Sequence, residues 1–428
     1  MPQVRALRAT IVHCLGSDEL DVIEDGVLVV DGGRVAATGA AADILSTLGS
    51  TVSVDDFSGK LLLPGFIDCH VHYPQLDMMA SWGEQLLDWL ERYAYPEEQK
   101  FVDAEHAQRV AIRFADELLR NGTTSALVFA TVHAHSAEAM FEAARGRGMR
   151  LVTGKTAMDR NCPRPLRDSP EAADRESREL IERWHGVDRL GYALTPRFAL
   201  TSSDAQLRVL GRLAEEFPDV HVHTHLAEND DEIVAVRERF PEARSYLDVY
   251  AARGLLRERA VFAHCLHLDP ADWQALADAR GSVAFCPSSN LFLGSGVFDI
   301  DQADAAGVDV GIGSDVGGGT SLSLLKTLAD GYKSLQLARR TVTPERLLYF
   351  ATLGAARALR LDDCIGNFLP GKEADFVIVD PPSASAAGAR MAAAVTVRDR
   401  LFALLMLGDD RDLHSTWLLG EPAYRRAG

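Results

Sequence analysis

The sequence predicts an α/β fold: a closed (β/α)8 barrel over residues 64–365, with a small β-sandwich domain built from both chain ends, residues 1–63 and 366–428. Three observations predict it. From Gly65 onward, short apolar runs recur with longer stretches of helical character between them, the pattern of repeated strand and helix units on a parallel sheet. The runs number eight, which suggests closure into a TIM-like barrel. The flanks carry strand and hairpin signals without the intervening helices.

In chain order, residues 5–13 and 22–30 read as strands, followed by a turn at Asp31-Gly32-Gly33-Arg34 that marks a hairpin. The eight barrel runs are 65–72, 124–130, 150–158, 189–198, 220–228, 260–265, 282–288 and 308–315. Between them lie helical segments. Residues 104–120 place Val110, Phe114, Leu118 and Leu119 near helical spacing, and 203–217 do the same with Leu207, Leu210 and Leu213. After the barrel, 374–380 and 415–424 again read as strands, and 381–394, rich in alanine, serine and proline, reads as a loop.

With 428 residues and 47% apolar content, the chain can bury a substantial core. A net charge of −18 argues against nucleic acid or an anionic membrane as partner, since either repels such a surface; a small uncharged or locally cationic substrate fits better. The six cysteines are scattered with no Cys-x-x-Cys pair, so neither a thiolate metal site nor a disulfide framework is expected; they read as buried free thiols. No secretory signal or membrane span is legible, and the expected location is the cytoplasm.

Active sites of such barrels lie at the C-terminal ends of the strands, so polar residues there carry functional weight. The first run ends in Pro64-Gly65-Phe66-Ile67-Asp68-Cys69-His70-Val71-His72, and alternation along a strand points His70 and His72 to one side, where two imidazoles can share a metal ion. The fifth run ends at His225-Leu226-Ala227-Glu228, the sixth at His264 and the eighth at Asp315. His221 and His223 share the face of His225; His223 reads as a residue just behind the site or in the barrel interior, and His221 as deeper still. His133 and His135 also stand at metal spacing, and read as loop residues. Lys155, a charge expected near the barrel interior, is expected to pair with an acid such as Asp159.

These residues resemble the amidohydrolase superfamily of metal-dependent barrels, and the likeness includes Gly313-Ser314-Asp315 and the C-terminal segment Gly371-Lys372-Glu373-Ala374-Asp375-Phe376. Its guanine-deaminating branch is resembled in particular at His72-Tyr73-Pro74-Gln75, Asp88-Trp89-Leu90, Met158-Asp159-Arg160-Asn161, Thr195-Pro196-Arg197-Phe198, His225 to Asn229, Cys286-Pro287-Ser288-Ser289-Asn290-Leu291 and Asp315 to Gly319. Binuclear members commonly carry a modified lysine on the fourth strand. The run 189–198 has no lysine, so the resemblance implies one metal held by His70, His72, His225 and Asp315. Zinc is the expected ion, one per chain, with ferrous iron also compatible with a nitrogen-rich site bearing one carboxylate.

The resemblance further implies hydrolytic deamination of guanine to xanthine and ammonia. Glu228, His264 and Asp315 are the expected catalytic groups, with Asp315 taking the proton of the attacking water, Glu228 acting as the acid and His264 holding the attacking oxygen. Gln75, Arg197, Phe198, His225 and His264 are the expected substrate contacts. Arg197 offers donors and no acceptor, which favours an oxo edge over an amino edge and so guanine over adenine. Phe198 either stacks on the base or completes the core. A pterin or modified guanine presents the same 2-amino-oxo edge and remains open as a substrate, and a catalytically silent scaffold is the alternative of another class. The partner expected besides the purine is a second copy of the chain, in a homodimer.

Overall fold

The computed structural model describes residues 4–49 and 52–427. Positions 1–3, 50, 51 and 428 of the small domain expected from the chain ends lie outside the described residues. The chain divides into two compact units: Met1–Asp68 with Glu117–Ser125 and Ser323–Gly428, and Cys69–Asp116 with Ala126–Leu322.

The first unit holds β1 (Arg5–Gly16), β2 (Glu19–Asp31), β3 (Arg34–Ala40) and β4 (Ser53–Pro64). The barrel strands follow in the chain: β5 (Phe66–His72), β6 (Thr123–Phe129), β7 (Arg150–Gly154), β8 (Thr156–Ala157), β9 (Leu190–Pro196), β10 (His221–Leu226), β11 (Ala260–His264), β12 (Ser282–Phe285) and β13 (Asp309–Ile312). The C-terminal segment returns to the first unit with β14 (Phe376–Val379), β15 (Leu413–Leu418) and β16 (Glu421–Arg425).

The terminal strands make one continuous mixed sheet, in the order β16-β15-β14-β4-β1-β2-β3. Alternation sorts its side chains: Leu7, Ala9, Ile11, Leu28 and Val30 enter one buried cluster with Phe376, Ile378 and Trp417, while Ala6, Val27 and Val29 enter another. The β2–β3 hairpin turns on Gly32 and Gly33, with φ of 57° and 79°, the doubly positive pair that a type I′ turn requires. The run 415–424 is two strands, because Leu419 and Gly420, with φ of 50° and 75°, make a second such turn. Residues 381–394 contain a helix, Ala386–Ala392, where a loop was expected. Its alanines favour helix, and Ser385 Oγ caps it by accepting the Gly388 N–H at 2.9 Å.

All eight barrel runs are strands, ordered β13-β12-β11-β10-β9-β7-β6-β5, with the third run broken at Lys155 into β7 and β8. Two backbone bonds draw the last strand's exit against the first strand: Asp315 N–H to His70 C=O and His72 N–H to Val316 C=O, both 2.8 Å. Gly313 permits this approach, since a Cβ there would stand 2.9 Å from both His70 Cβ and Cys286 Sγ. Between strands, helices form where predicted; Asp204–Glu216 is capped by Ser203 and buries Leu207, Leu210 and Leu213 on one face. Among the described residues no helix is long and apolar enough to cross a membrane. Five of the cysteines are buried and Cys364 is half-buried, all of them free thiols.

Candidate metal centre and active site

The end of β5 delivers His70 and His72, the end of β10 His225, the end of β11 His264, and the residues after β13 Asp315. The parallel register of β10 on β11 sets Leu226 against His264, so the two strands end at the same level. Here the backbone leaves ordinary strand geometry: Ala227, His264 and Asp315 have φ of 48°, 73° and 48°. Left-handed backbone at residues with a Cβ is strained, and strain of this kind gathers where side chains must be aimed.

Four side-chain atoms meet. His72 Nε2 lies 3.2 Å from His70 Nε2 and 3.2 Å from His225 Nε2; Asp315 Oδ1 lies 3.0 Å from His70 Nε2 and 3.3 Å from His72 Nε2. Ligands at about 2.0–2.1 Å around a tetrahedral zinc ion stand roughly 3.3 Å apart, so these separations match the edges of that tetrahedron. The donor chemistry agrees. His225 Nδ1 faces the Arg197 carbonyl at 2.6 Å, which can only accept, so the proton sits on Nδ1 and Nε2 presents a bare lone pair to the centre. Several lone pairs and a carboxylate aimed at one point call for a cation. Burial pushes His70, His72 and His225 down, His72 to about 4, and keeps them neutral. Burial pushes Asp315 up, but its contacts with the His70 and His72 imidazoles outweigh burial and hold the carboxyl well below its ordinary range. His70, His225, His264 and Asp315 also form a possible metal-holding group with ligand atoms within 4.8 Å of one another, but His264 Nε2 stands 3.8 Å from Asp315 and closer, 3.3 Å, to Glu228.

Glu228 and His264 therefore make a second layer of the site. Burial, with the charges of Asp315 and Glu232, drives the Glu228 carboxyl well above its ordinary range. Two carboxyls pushed in opposite directions beside each other are the pattern of an acid and a base. His264 is held by Asn290, whose Oδ1 faces His264 Nδ1 at 2.8 Å. The Glu228 backbone N–H is accepted by Glu232 Oε2 at 2.9 Å, and Glu232 Oε1 takes the Tyr246 hydroxyl at 2.7 Å.

A cavity with about 390 Å³ of empty space, part of it open to solvent, adjoins this set. Of the residues singled out from the sequence, His72, Gln75, Arg197, Phe198, His225, Glu228 and Asp315 line it, while His70 and His264 lie behind. Phe198 does two things: it borders the cavity and packs with Trp89, Leu90, Met158 and Leu293 in a buried cluster.

Three features were not legible. Glu98, 1% exposed, accepts from Arg197 Nη1 and Gln75 Nε2; it sits beside Glu97, which pairs with Lys100, and nothing in the sequence separates the two acids. Glu232 looked like part of a solvated acidic run, and Asn290 carried only a motif likeness. His223, expected just behind the site or in the barrel interior, meets His70, with Nε2 2.7 Å from His70 Nδ1, so it orients that imidazole. Lys155 corrects an expectation: its partners are Asp168 at 2.8 Å and Glu176 at 2.6 Å, whereas Asp159 accepts the Ser203 N–H at 2.7 Å. His135 opens the helix Ala134–Arg147 with Nε2 2.8 Å from the Phe101 carbonyl, stacked on His133 and outside the metal centre.

A barrel with this metal-holding end is the fold and site of the amidohydrolases, and the chain belongs to the amidohydrolase family, whose model matches residues 61–421. It is 47% identical over 407 residues to the guanine deaminase of Escherichia coli strain K12, covering 95% of this chain and 93% of that protein. It is 41% identical over 435 residues to a probable guanine deaminase of Deinococcus radiodurans, covering 99% of both. The solved structure of the E. coli guanine deaminase superposes with a TM-score of 0.96 at 45% identity, covering 99% of this chain and all of that one.

Proposed function

We propose that this protein is a guanine deaminase, a hydrolase that converts guanine and water to xanthine and ammonia. One observation carries the reading: Gln75 and Arg197, which carry purine-edge chemistry, face the same cavity as Glu228, Asp315 and the imidazoles of His72 and His225. The near full-length relatives named guanine deaminase support it.

His70, His72, His225 and Asp315 would hold one divalent ion, zinc in this reading. When bound, it supplies the Lewis acidity that brings the pKa of water to about 7. Asp315 accepts the proton of the attacking water through Oδ2, the oxygen nearer His264. His264, fixed by Asn290 and standing between Glu228 and Asp315, holds the attacking oxygen in place. Glu228 delivers its proton to the ring nitrogen beside the attacked carbon, recovers one from the added hydroxyl as the 2-oxo group forms and passes it to the departing amine, and the proton held by Asp315 then restores the acid. Arg197 donates to the 6-oxo edge, and the apolar wall of Trp89, Leu86 and Leu293 excludes water around the base.

The same reading makes the enzyme a cytoplasmic homodimer of purine catabolism or salvage. The test is metal analysis of the purified protein together with xanthine formation from guanine. One zinc per chain with stoichiometric xanthine and ammonia is expected; no turnover of guanine by metal-loaded protein overturns the proposal, and turnover of a pterin instead assigns the chemistry to another heterocycle.

A further inference from the structure

We infer that Glu98, which lies behind the cavity and does not line it, is the positioning residue that sets the purine-reading groups of Arg197 and Gln75. The inference rests on the guanine deaminase reading for the identity of the base, and on geometry for the role of the acid. Glu98 closes the short helix Tyr95–Glu98, outside the barrel strands. Its Oε1 accepts from Arg197 Nη1 at 2.7 Å and from Gln75 Nε2 at 2.8 Å, and its Oε2 accepts from Arg197 Nη1 at 2.6 Å. The Glu98 and Arg197 side chains are 1% and 3% exposed. A guanidinium has five donors in a rigid fork, and pinning one nitrogen fixes where the others point. Tyr95, with Arg197 Cζ 5.4 Å from its ring centroid, holds the plane.

Gln75 has a different problem, because a carboxamide can invert and exchange its donor for its acceptor. Here Nε2 is committed to Glu98, and Oε1 accepts the Gly317 N–H at 3.0 Å. Only one orientation satisfies both, so the groups left to face the cavity are determined. Glu98 also neutralises Arg197 beside a centre built to receive a cation, where an unpaired buried guanidinium would be strongly unfavourable. The chain of contacts joins the centre at both ends. Gly317 is two residues from Asp315, and the Arg197 carbonyl faces His225 Nδ1 at 2.6 Å.

The experiment is steady-state kinetics of Glu98→Gln and Glu98→Asp with guanine, alongside metal content and a crystal structure of each variant. Glutamine keeps the shape but brings a donor toward donors. Its KM for guanine is expected to rise at least ~10-fold, with a smaller fall in kcat and an unchanged metal-to-protein ratio, because uniform binding is what is lost. Aspartate keeps the charge and is expected to fall between wild type and Glu98→Gln. A KM for guanine within about twofold of wild type in Glu98→Gln, or a loss confined to the fraction of active enzyme, overturns the inference. If wild-type enzyme does not turn over guanine, the functional reading fails. Arg197 and Gln75 displaced in the Glu98→Gln crystal then support the positioning role, and both left in place overturn it. Should the glutamine variant not fold, the aspartate variant is read by the same criteria.

Discussion

Replacing Glu228 by glutamine separates proton transfer from everything else that residue does. The carboxyl is buried, 3% exposed, and its environment favours the neutral acid, so a neutral carboxamide of the same shape introduces no new buried charge. Its protein contacts are few: Ser295 Oγ donates to Oε1 at 3.5 Å, and His264 Nε2 stands 3.3 Å from Oε2. The backbone bond to Glu232 is untouched by the change. Stability is therefore expected to move by less than about 1 kcal/mol, the scale of one modest hydrogen bond. What the amide cannot do is give up a proton to the ring nitrogen. General acid catalysis contributes roughly 10²–10⁴ in rate, or about 3–5 kcal/mol of barrier at 1.36 kcal/mol per decade. The assay is kcat for xanthine formation, with metal content and a denaturation midpoint measured on the same preparation. Full turnover with metal bound refutes the acid role; a large loss of metal or of stability refutes the premise that Glu228 resides there as a neutral group.

His225→Ala removes one corner of the ligand set, and dialysed protein is expected to hold far less than one metal per chain by elemental analysis; stoichiometric metal would require a different set. Arg197→Met is expected to lower the preference for guanine over adenine by about 10- to 100-fold, the worth of one buried polar mismatch, in competition assays. Unchanged preference removes Arg197 from recognition. Lys155→Met leaves Asp168 and Glu176 without their shared buried cation and is expected to destabilise by roughly 3–5 kcal/mol in urea unfolding, with kcat little changed. A midpoint equal to wild type would show the triad contributes nothing net.

The barrel was legible because each strand is a short apolar run whose burial on both faces leaves a continuous signal, and because alternation alone puts His70 and His72 on one side. The terminal sheet was legible through its turn glycines. Alanine in residues 381–394 was misread because a loop and a short helix share that composition, and the cap at Ser385 decides between them. That His70, His72, His225 and Asp315 gather at one rim was legible from the strand ends, but what supports them there was not. Glu98 reaches Arg197 across 99 positions and Asn290 reaches His264 across 26, and such pairings arise only once helices and loops have been placed around the rim. Lys155 shows the same limit in reverse: the nearer acid in sequence, Asp159, is engaged by Ser203, and the true partners come from the segment that follows.

The two backbone bonds that bring Asp315 and Val316 onto His70 and His72 fall on the residues whose side chains converge at the centre. An ion held there would act as a rivet across the seam, fastening the first strand to the last by ligand bonds as well as amides. Filling the site then stabilises the closed barrel by mass action, and emptying it loosens the ring where its ends meet. In hydrogen exchange, the amides of His72 and Asp315 would be the ones whose protection follows metal occupancy, ahead of any amide on the strands opposite.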